Sequence, residues 1–288
     1  MDLEFVKAFQ QLSNPLFDWF FYIVTQIGDQ YVFIVIAAIL YWTINKKYAH
    51  AFVLAFLISA ILNASLKEIF QRPRPFTQEG VRVPDLPGVE TAGYSFPSGH
   101  SQAAGVIGYT MLEGKRRTNL SWLMYSAIFI LIFVPLSRIY LGQHYLSDVI
   151  VGTFLGLLSG YAAFKLSPLM KDKEHLVTLY LLAIIPPLLF FVTDRNLVIA
   201  GGGMTGFAIG YAVEKLKVGF EVRAPLWVQI VKVVTGLVVA ILIKEGLKVV
   251  FPDTSLFDFF RYFLIGIWAA LGAPWVFKHV LPYHQKAV

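Results

Sequence analysis

The chain has 288 residues, of which 57% are hydrophobic and only 15% charged, against about 25% charged in an ordinary soluble domain. Aromatic residues reach 16% and the mean hydropathy is +0.65, so lipid rather than water must solvate much of the surface. A net charge of +6 would suggest nucleic acid in a soluble chain, but in a membrane chain it is read loop by loop and no nucleic-acid partner is expected; the lack of any cysteine excludes a disulfide scaffold, thiolate metal sites and a cysteine nucleophile.

In chain order, Met1–Ser13 is amphipathic and has none of the small-residue cleavage pattern of a secretory signal. Pro15–Ile27 is apolar and aromatic but too short to span, so residues 1–30 are read as interfacial or re-entrant helices. Nine apolar stretches follow: Tyr31–Ile44, Ala49–Leu66, His100–Leu112, Leu120–Leu136, Val149–Phe164, Val177–Val192, Leu197–Val213, Trp227–Ile243 and Phe259–Phe277. Several fall short of the ~20 residues a spanning helix needs, so their ends extend into the flanking loops. The expected fold is an all-α, polytopic transmembrane bundle of about nine spans. Its core is expected over residues 31–166, with additional helices over 167–288.

The dense basic clusters, Lys46–Lys47, Lys115–Arg116–Arg117, Lys165 with Lys171 and Lys173, and Lys215 with Lys217 and Arg223, fall in alternate loops, and Lys278 and Lys286 follow the last span. Positive residues are retained on the cytoplasmic side, which places the N-terminus outside and the C-terminus in the cytoplasm. On the outer side, Gln71–Phe96 is a long polar connection rich in proline, among them Pro73, Pro75, Pro84 and Pro87, and loops of that length usually carry function. Gly201-Gly202-Gly203 is expected to permit close helix packing rather than to cradle a nucleotide, because no strand or Lys-Ser/Thr pattern accompanies it. Lys244, Glu245, Lys248 and Arg261 are ionisable residues in or beside spans; they fit either a Lys/Glu pair with snorkelling ends or contact with a headgroup or second phosphate.

Three outer clusters carry chemistry: Lys67 with Arg74-Pro75, Pro97-Ser98-Gly99-His100, and Ser137-Arg138 followed by His144 and Asp148. Lys67, Arg74 and Arg138 supply three cations, two of them guanidinium forks suited to phosphate oxygens. Lys67 and Arg74 are about two helical turns apart and would share a face if the helix ran through Pro73. Ser98 and Gly99 open a helix, where unsatisfied N–H groups favour an anion and glycine permits close approach. Two histidines provide a nucleophile and a general acid. His144 and Asp148 are four apart, so a helix would set carboxylate beside imidazole. Each cationic residue alone would be an ordinary snorkelling anchor; the joint spacing is what argues otherwise.

These residues resemble the three-part signature of the type 2 phosphatidic acid phosphatase superfamily, Lys-x6-Arg-Pro, Pro-Ser-Gly-His and Ser-Arg-x5-His-x3-Asp, with no position substituted. The resemblance runs from about Tyr31 to Phe164. It implies that His144 is the nucleophile that forms a phosphohistidine, that Asp148 orients it, and that His100 protonates the leaving oxygen and then activates water. Lys67, Arg74, Ser98, Gly99 and Arg138 would hold the phosphoryl oxygens, with no metal or other cofactor. The implied activity is hydrolysis of a lipid phosphomonoester or pyrophosphate, such as phosphatidic acid, phosphatidylglycerophosphate or undecaprenyl pyrophosphate. The site would face the extracytoplasmic side of a bacterial-type inner membrane. The four later spans look like the nine-span layout of the glucose-6-phosphatases and, more loosely, the sphingosine-phosphate phosphatases. A soluble sugar phosphate as substrate, transfer of the phosphoryl group to a lipid acceptor, and a non-enzymatic lipid transporter remain as alternatives.

Overall fold

The computed structural model describes residues 2–86, 93–182 and 195–281, and among these every regular element is helical. The helices are α1 (Asp2–Gln10), α2 (Pro15–Thr25), α3 (Gln30–Ile39), α4 (Lys46–Phe70), α5 (Gly99–Thr118), α6 (Ser121–Tyr140) and α7 (Leu146–Leu169). They continue with α8 (Glu174–Leu182), α9 (Arg195–Val213), α10 (Leu226–Val250), α11 (Ser255–Ile267) and α12 (Ala273–Val280). Of the expected spans, Val177–Val192 is described only as far as Leu182, and Pro87 and Lys286 lie outside the described residues.

Six helical segments are long and apolar enough to cross a membrane: Lys46–Thr77, Ser121–Tyr140, Leu146–Leu169, Leu197–Val218, Leu226–Val250 and Ser255–Val280. Pro15–Gly28 and Gln30–Ile44 pass the same test together, as a pair bent by 54°, so Pro15–Ile27 is one arm of a broken span or a re-entrant loop. Helix α5 is as long as α6 but carries Glu113, Lys115, Arg116 and Arg117 near its end and is not among the six. The chain is an integral membrane protein, and its outward apolar side chains, such as Leu226, Ile230 and Val249, suit a lipid environment.

Two compact units divide the chain, with boundaries inside α3, α4 and α7: residues 1–34 with 58–163, and residues 35–57 with 164–288. In the first unit, α6 packs on α5, on α2 and on α1. Val6, Ile139, Tyr145 and Val149 make one apolar cluster, and Phe21, Tyr140 and Leu141 another. Polar ties are threaded between these clusters. The Gln10 side-chain amide donates to the carbonyls of Arg82 (2.7 Å) and Tyr140 (2.8 Å), and its carbonyl accepts the Arg82 N–H (2.9 Å). The Arg82 guanidinium forks onto Asp18, which also accepts the Tyr140 hydroxyl at 2.7 Å. The loop after α4 is therefore clamped to α1, α2 and the end of α6.

In the second unit, α9 packs along α11 with the backbones almost touching. A Cβ on Gly202 would lie 2.3 Å from the Phe259 carbonyl oxygen and one on Gly266 2.2 Å from that of Gly203, so the glycine run serves helix packing, as its sequence context suggests. Glu214, fully buried, accepts from Tyr41 (2.9 Å), Lys46 (2.8 Å) and the Phe220 N–H (2.8 Å). Glu174 is similarly held by Lys215 (2.6 Å) and Tyr211 (2.7 Å).

Candidate active site

Helix α4 ends at Phe70, and Gln71 at φ +43° breaks its path. Lys67 thus stays in the last helical turn while Arg74 sits in the following loop, so the two do not share a helical face as a continuous helix would require; Pro73 removes the donor that continuation needs. Arg74 is 3% exposed. Its Nε donates to the Gly93 carbonyl at 3.2 Å and its Nη1 to the side-chain oxygen of Gln143 at 3.1 Å.

Ser98 is the N-cap of α5: its hydroxyl accepts from the Ser101 N–H (3.4 Å) and the Ser101 hydroxyl (2.9 Å), and its own N–H donates to the Asp148 carbonyl (3.1 Å). Gly99 and His100 form the first turn, where N–H groups project from the helix end. The Asn63 amide donates to the Pro97 carbonyl at 3.1 Å. Lys67 is one turn further along the same face of α4.

Helix α6 ends at Tyr140, with Arg138 buried in its last turn and donating through Nη1 to the Thr25 hydroxyl at 3.0 Å. The chain then turns through Gly142 at φ +69°, where a Cβ would lie 2.7 Å from the Arg82 carbonyl oxygen; only glycine accommodates both the dihedral and the approach. The N–H groups of Gln143 and His144 close the turn on the Arg138 carbonyl (3.0 and 3.2 Å). Arg138 and His144 are thereby brought together by five residues of chain.

His144 lies in this turn and not on α7, which begins at Leu146. The helical i, i+4 relation to Asp148 is therefore only approximate, and His144 Nδ1 is 3.7 Å from Asp148 Oδ2. A nearer partner is the Ser95 backbone carbonyl, 2.7 Å from Nδ1. A carbonyl can only accept, so Nδ1 carries the proton and Nε2 keeps its lone pair. Asp148 acts on this pair through Ser95: Oδ2 accepts the Ser95 hydroxyl at 2.5 Å and the Tyr145 N–H at 2.9 Å. Burial pushes the His144 imidazole down to about 4, with the Arg74 and Arg138 charges adding to that effect and Asp148 opposing it. The ring is neutral at ordinary pH.

Three contributors escaped the sequence reading. Arg72 donates to Asp148 Oδ1 and to the Ser147 hydroxyl, each at 2.7 Å, pairs with Asp2 at 3.1 Å, and lies over the Tyr145 ring at 3.9 Å. Ser95 supplies both a carbonyl and a hydroxyl, and Gln143 holds Arg74. Arg72 had a faint signal as a basic residue beside Pro73; a backbone acceptor such as Ser95 leaves no trace in residue type. Asp2 completes the net by accepting the Ser147 hydroxyl at 2.5 Å, which with Arg72 keeps its carboxyl below the usual range. The arrangement offers a neutral imidazole of fixed tautomer, flanked by two buried guanidinium groups and a helix N-terminus, a combination suited to phosphoryl chemistry.

Residues 48–171 match the PAP2 superfamily and residues 198–285 match its phosphatase transmembrane extension. An undecaprenyl-diphosphatase of Sulfolobus acidocaldarius is 31% identical over 53% of this chain and 73% of its own length. The undecaprenyl-diphosphatase BcrC of Bacillus subtilis is 29% identical over 68% of this chain and its entire length. Among solved structures, Aquifex aeolicus LpxE superposes with a TM-score of 0.51 at 26% identity, covering 57% of this chain and 94% of that one.

Proposed function

This chain belongs to the PAP2 superfamily and is a membrane enzyme that hydrolyses phosphate esters, and from that premise we propose that it cleaves a lipid diphosphate or lipid phosphomonoester through a phosphohistidine on His144. Polyprenyl diphosphates are the favoured class, since two undecaprenyl-diphosphatases and a dolichyldiphosphatase are among the relatives matched over most of their own length. The observation that carries the mechanism is the 2.7 Å contact from His144 Nδ1 to the Ser95 carbonyl, which leaves Nε2 as the attacking atom.

In the proposed reaction Arg74, Arg138, Lys67, the Ser98 hydroxyl and the Gly99 N–H hold the phosphoryl oxygens and neutralise charge in the transition state. Nε2 of His144 forms a bond to phosphorus as the bond to the leaving oxygen breaks, and His100 gives that oxygen a proton. The released product is an alcohol or, from a diphosphate, the lipid monophosphate. His100 then takes a proton from water, whose oxygen attacks the phosphohistidine; inorganic phosphate leaves and His144 returns to its neutral form. Asp148, Ser95 and Arg72 are positioning residues.

We assign catalysis to residues 31–166, with residues 1–30 packed over the site loops and residues 167–288 as further spans. The bent pair counts as one crossing and α5 and the segment opening at α8 as two more, giving nine. Asp2 and Gln10 bind the loop after α4, so the N-terminus lies at the catalytic end, where α5 opens, while Lys115, Arg116 and Arg117 close the other end of α5; with the basic loops read as cytoplasmic, that supports an extracytoplasmic site and a cytoplasmic C-terminus, in a bacterial-type inner membrane. The test is phosphate release in detergent from undecaprenyl diphosphate, phosphatidylglycerophosphate, phosphatidate, sphingosine phosphate and glucose 6-phosphate, with trapping of an acid-labile phosphoprotein. Full hydrolysis by His144→Ala would refute the mechanism, and preference for glucose 6-phosphate would refute the lipid assignment.

A further inference from the structure

Of the charged residues that the sequence leaves unexplained in the later spans, Lys244 and Glu245 pair with each other at 3.0 Å and both are partly exposed, as a snorkelling pair would be. Arg261 behaves differently. It is 5% exposed, in the second turn of α11, and its Nη1 donates to Asp258 Oδ1 at 2.7 Å. Its Nε and Nη2 are buried and, among the described residues, have no hydrogen-bond partner. Those two nitrogens form one edge of the guanidinium, with two parallel N–H bonds spaced for the two oxygens of a carboxylate or phosphate.

A buried charged donor without an acceptor is costly, and native structures rarely keep two on one side chain. The surroundings hold the group in place. Asp258 Oδ2 is already taken by Arg195 Nε at 2.6 Å, and Arg195 also pairs with Asp253. Asp258 therefore has no second oxygen to turn toward the orphaned edge. The close α9–α11 packing through Gly202 and Gly206 leaves little scope for the arginine to swing out. Arg195 and Asp253 are more than half exposed, so the cluster runs from the surface inward and an anion could reach Arg261 past their side chains.

We propose that the Nε/Nη2 edge of Arg261 is the base of an oxyanion-binding site in the C-terminal unit, taking a phosphate-type group either from a lipid headgroup or free in solution. None of its residues belongs to the catalytic constellation. The two arginines and two aspartates cancel in formal charge, and Arg261 also lies within electrostatic reach of the Glu245 carboxylate, so recognition rests on directed, already desolvated donors rather than on net attraction. About nine ångströms separate the start of α11 from Arg261, a depth that a headgroup phosphate can reach at the membrane boundary.

The test uses the full chain with His144→Ala, so that phosphate esters are not consumed, with and without Arg261→Lys, which keeps a cation beside Asp258 but deletes the fork. Binding of inorganic phosphate is followed by equilibrium dialysis. Binding of dioleoyl phosphatidate, against dioleoyl phosphatidylcholine, is followed by native mass spectrometry from nanodiscs. We expect two saturable equivalents of at least one phosphate probe, the second weakened about tenfold or more by Arg261→Lys. Loss in the phosphatidate arm alone identifies a headgroup site, and loss in the dialysis arm a free-phosphate site. The double variant Arg261→Gln/Asp258→Asn, which removes both buried charges together, is measured in parallel and should lose the same equivalent even if Arg261→Lys folds poorly. Unchanged stoichiometry and affinity for both probes would overturn the proposal.

Discussion

Asp148 in the first unit and Glu214 in the second are both fully buried carboxylates, and both have their oxygens saturated. Asp148 accepts from Arg72, the Ser95 hydroxyl and the Tyr145 N–H; Glu214 accepts from Lys46, the Phe220 N–H and Tyr41. The partners differ in what they have left over. Around Glu214 the partners are donors, with the Tyr41 hydroxyl also within reach of the Ala270 carbonyl at 3.3 Å, and the cluster closes a helix junction. Around Asp148 the shared partner Ser95 also presents a carbonyl that takes the Nδ1 proton of His144, leaving Nε2 with an unspent lone pair. Burial of charge is common to both regions; reactive valence left over after satisfaction is what separates a site from a brace.

The sharpest break of this comparison is at the unspent atom. His144→Ala should lower turnover by at least about 1000-fold, measured as phosphate release, while the melting temperature stays close to that of the parent protein. Removal of the cation that holds Asp148 should come next. Arg72 is about a third exposed, so Arg72→Met should cost about 1–3 kcal/mol of stability, below the range for a fully buried pair, and lower kcat about 10- to 100-fold through misplacement of His144. Arg72→Lys should recover part of both, as read by kcat and thermal melting.

The pH profile should sharpen the contrast further. Burial holds His144 near about 4, well below the ordinary 6.5, so its neutral form is fully present at pH 6 and is lost only as pH falls through about 4. The acid limb of kcat/KM should then fall about tenfold per unit below that point; a His144-dependent limb near 6.5 would contradict the burial argument. At the other end of the scale, Glu214→Gln should destabilise by about 1–3 kcal/mol, since it leaves Lys46 without its charge partner, yet kcat/KM should stay within about twofold. A large loss of kcat in that variant, with the fold intact, would mean that the second unit is not a brace.

Much of this was legible in the sequence because it depends on residue type and spacing. The helical membrane character follows from the apolar stretches, the opening of a helix at Ser98 and Gly99 from their place just after Pro97, and the packing role of Gly201–Gly203 from their place within an apolar helix. The spacing of Arg138, His144 and Asp148 pointed to one site. It misplaced His144 on a helix because Gly142 turns the chain two residues earlier, and a residue count does not say where a turn ends. Arg72 was passed over for Arg74, since two arginines flanking one proline differ only in the direction each side chain takes.

By itself the sequence determined the solvent, the helices and the set of reactive side chains, since hydropathy, capping and charge are properties of residues and their near neighbours. Only the tertiary structure decided which atoms of those side chains remain available. That Ser95 offers a carbonyl to His144, that Arg72 rather than Arg74 holds Asp148, and that Arg261 keeps one edge of its guanidinium unspent are all outcomes of chain segments meeting far from each other in sequence. Hydrogen-bond partners are consumed one at a time in such meetings, and what is left over after they are consumed is the chemistry.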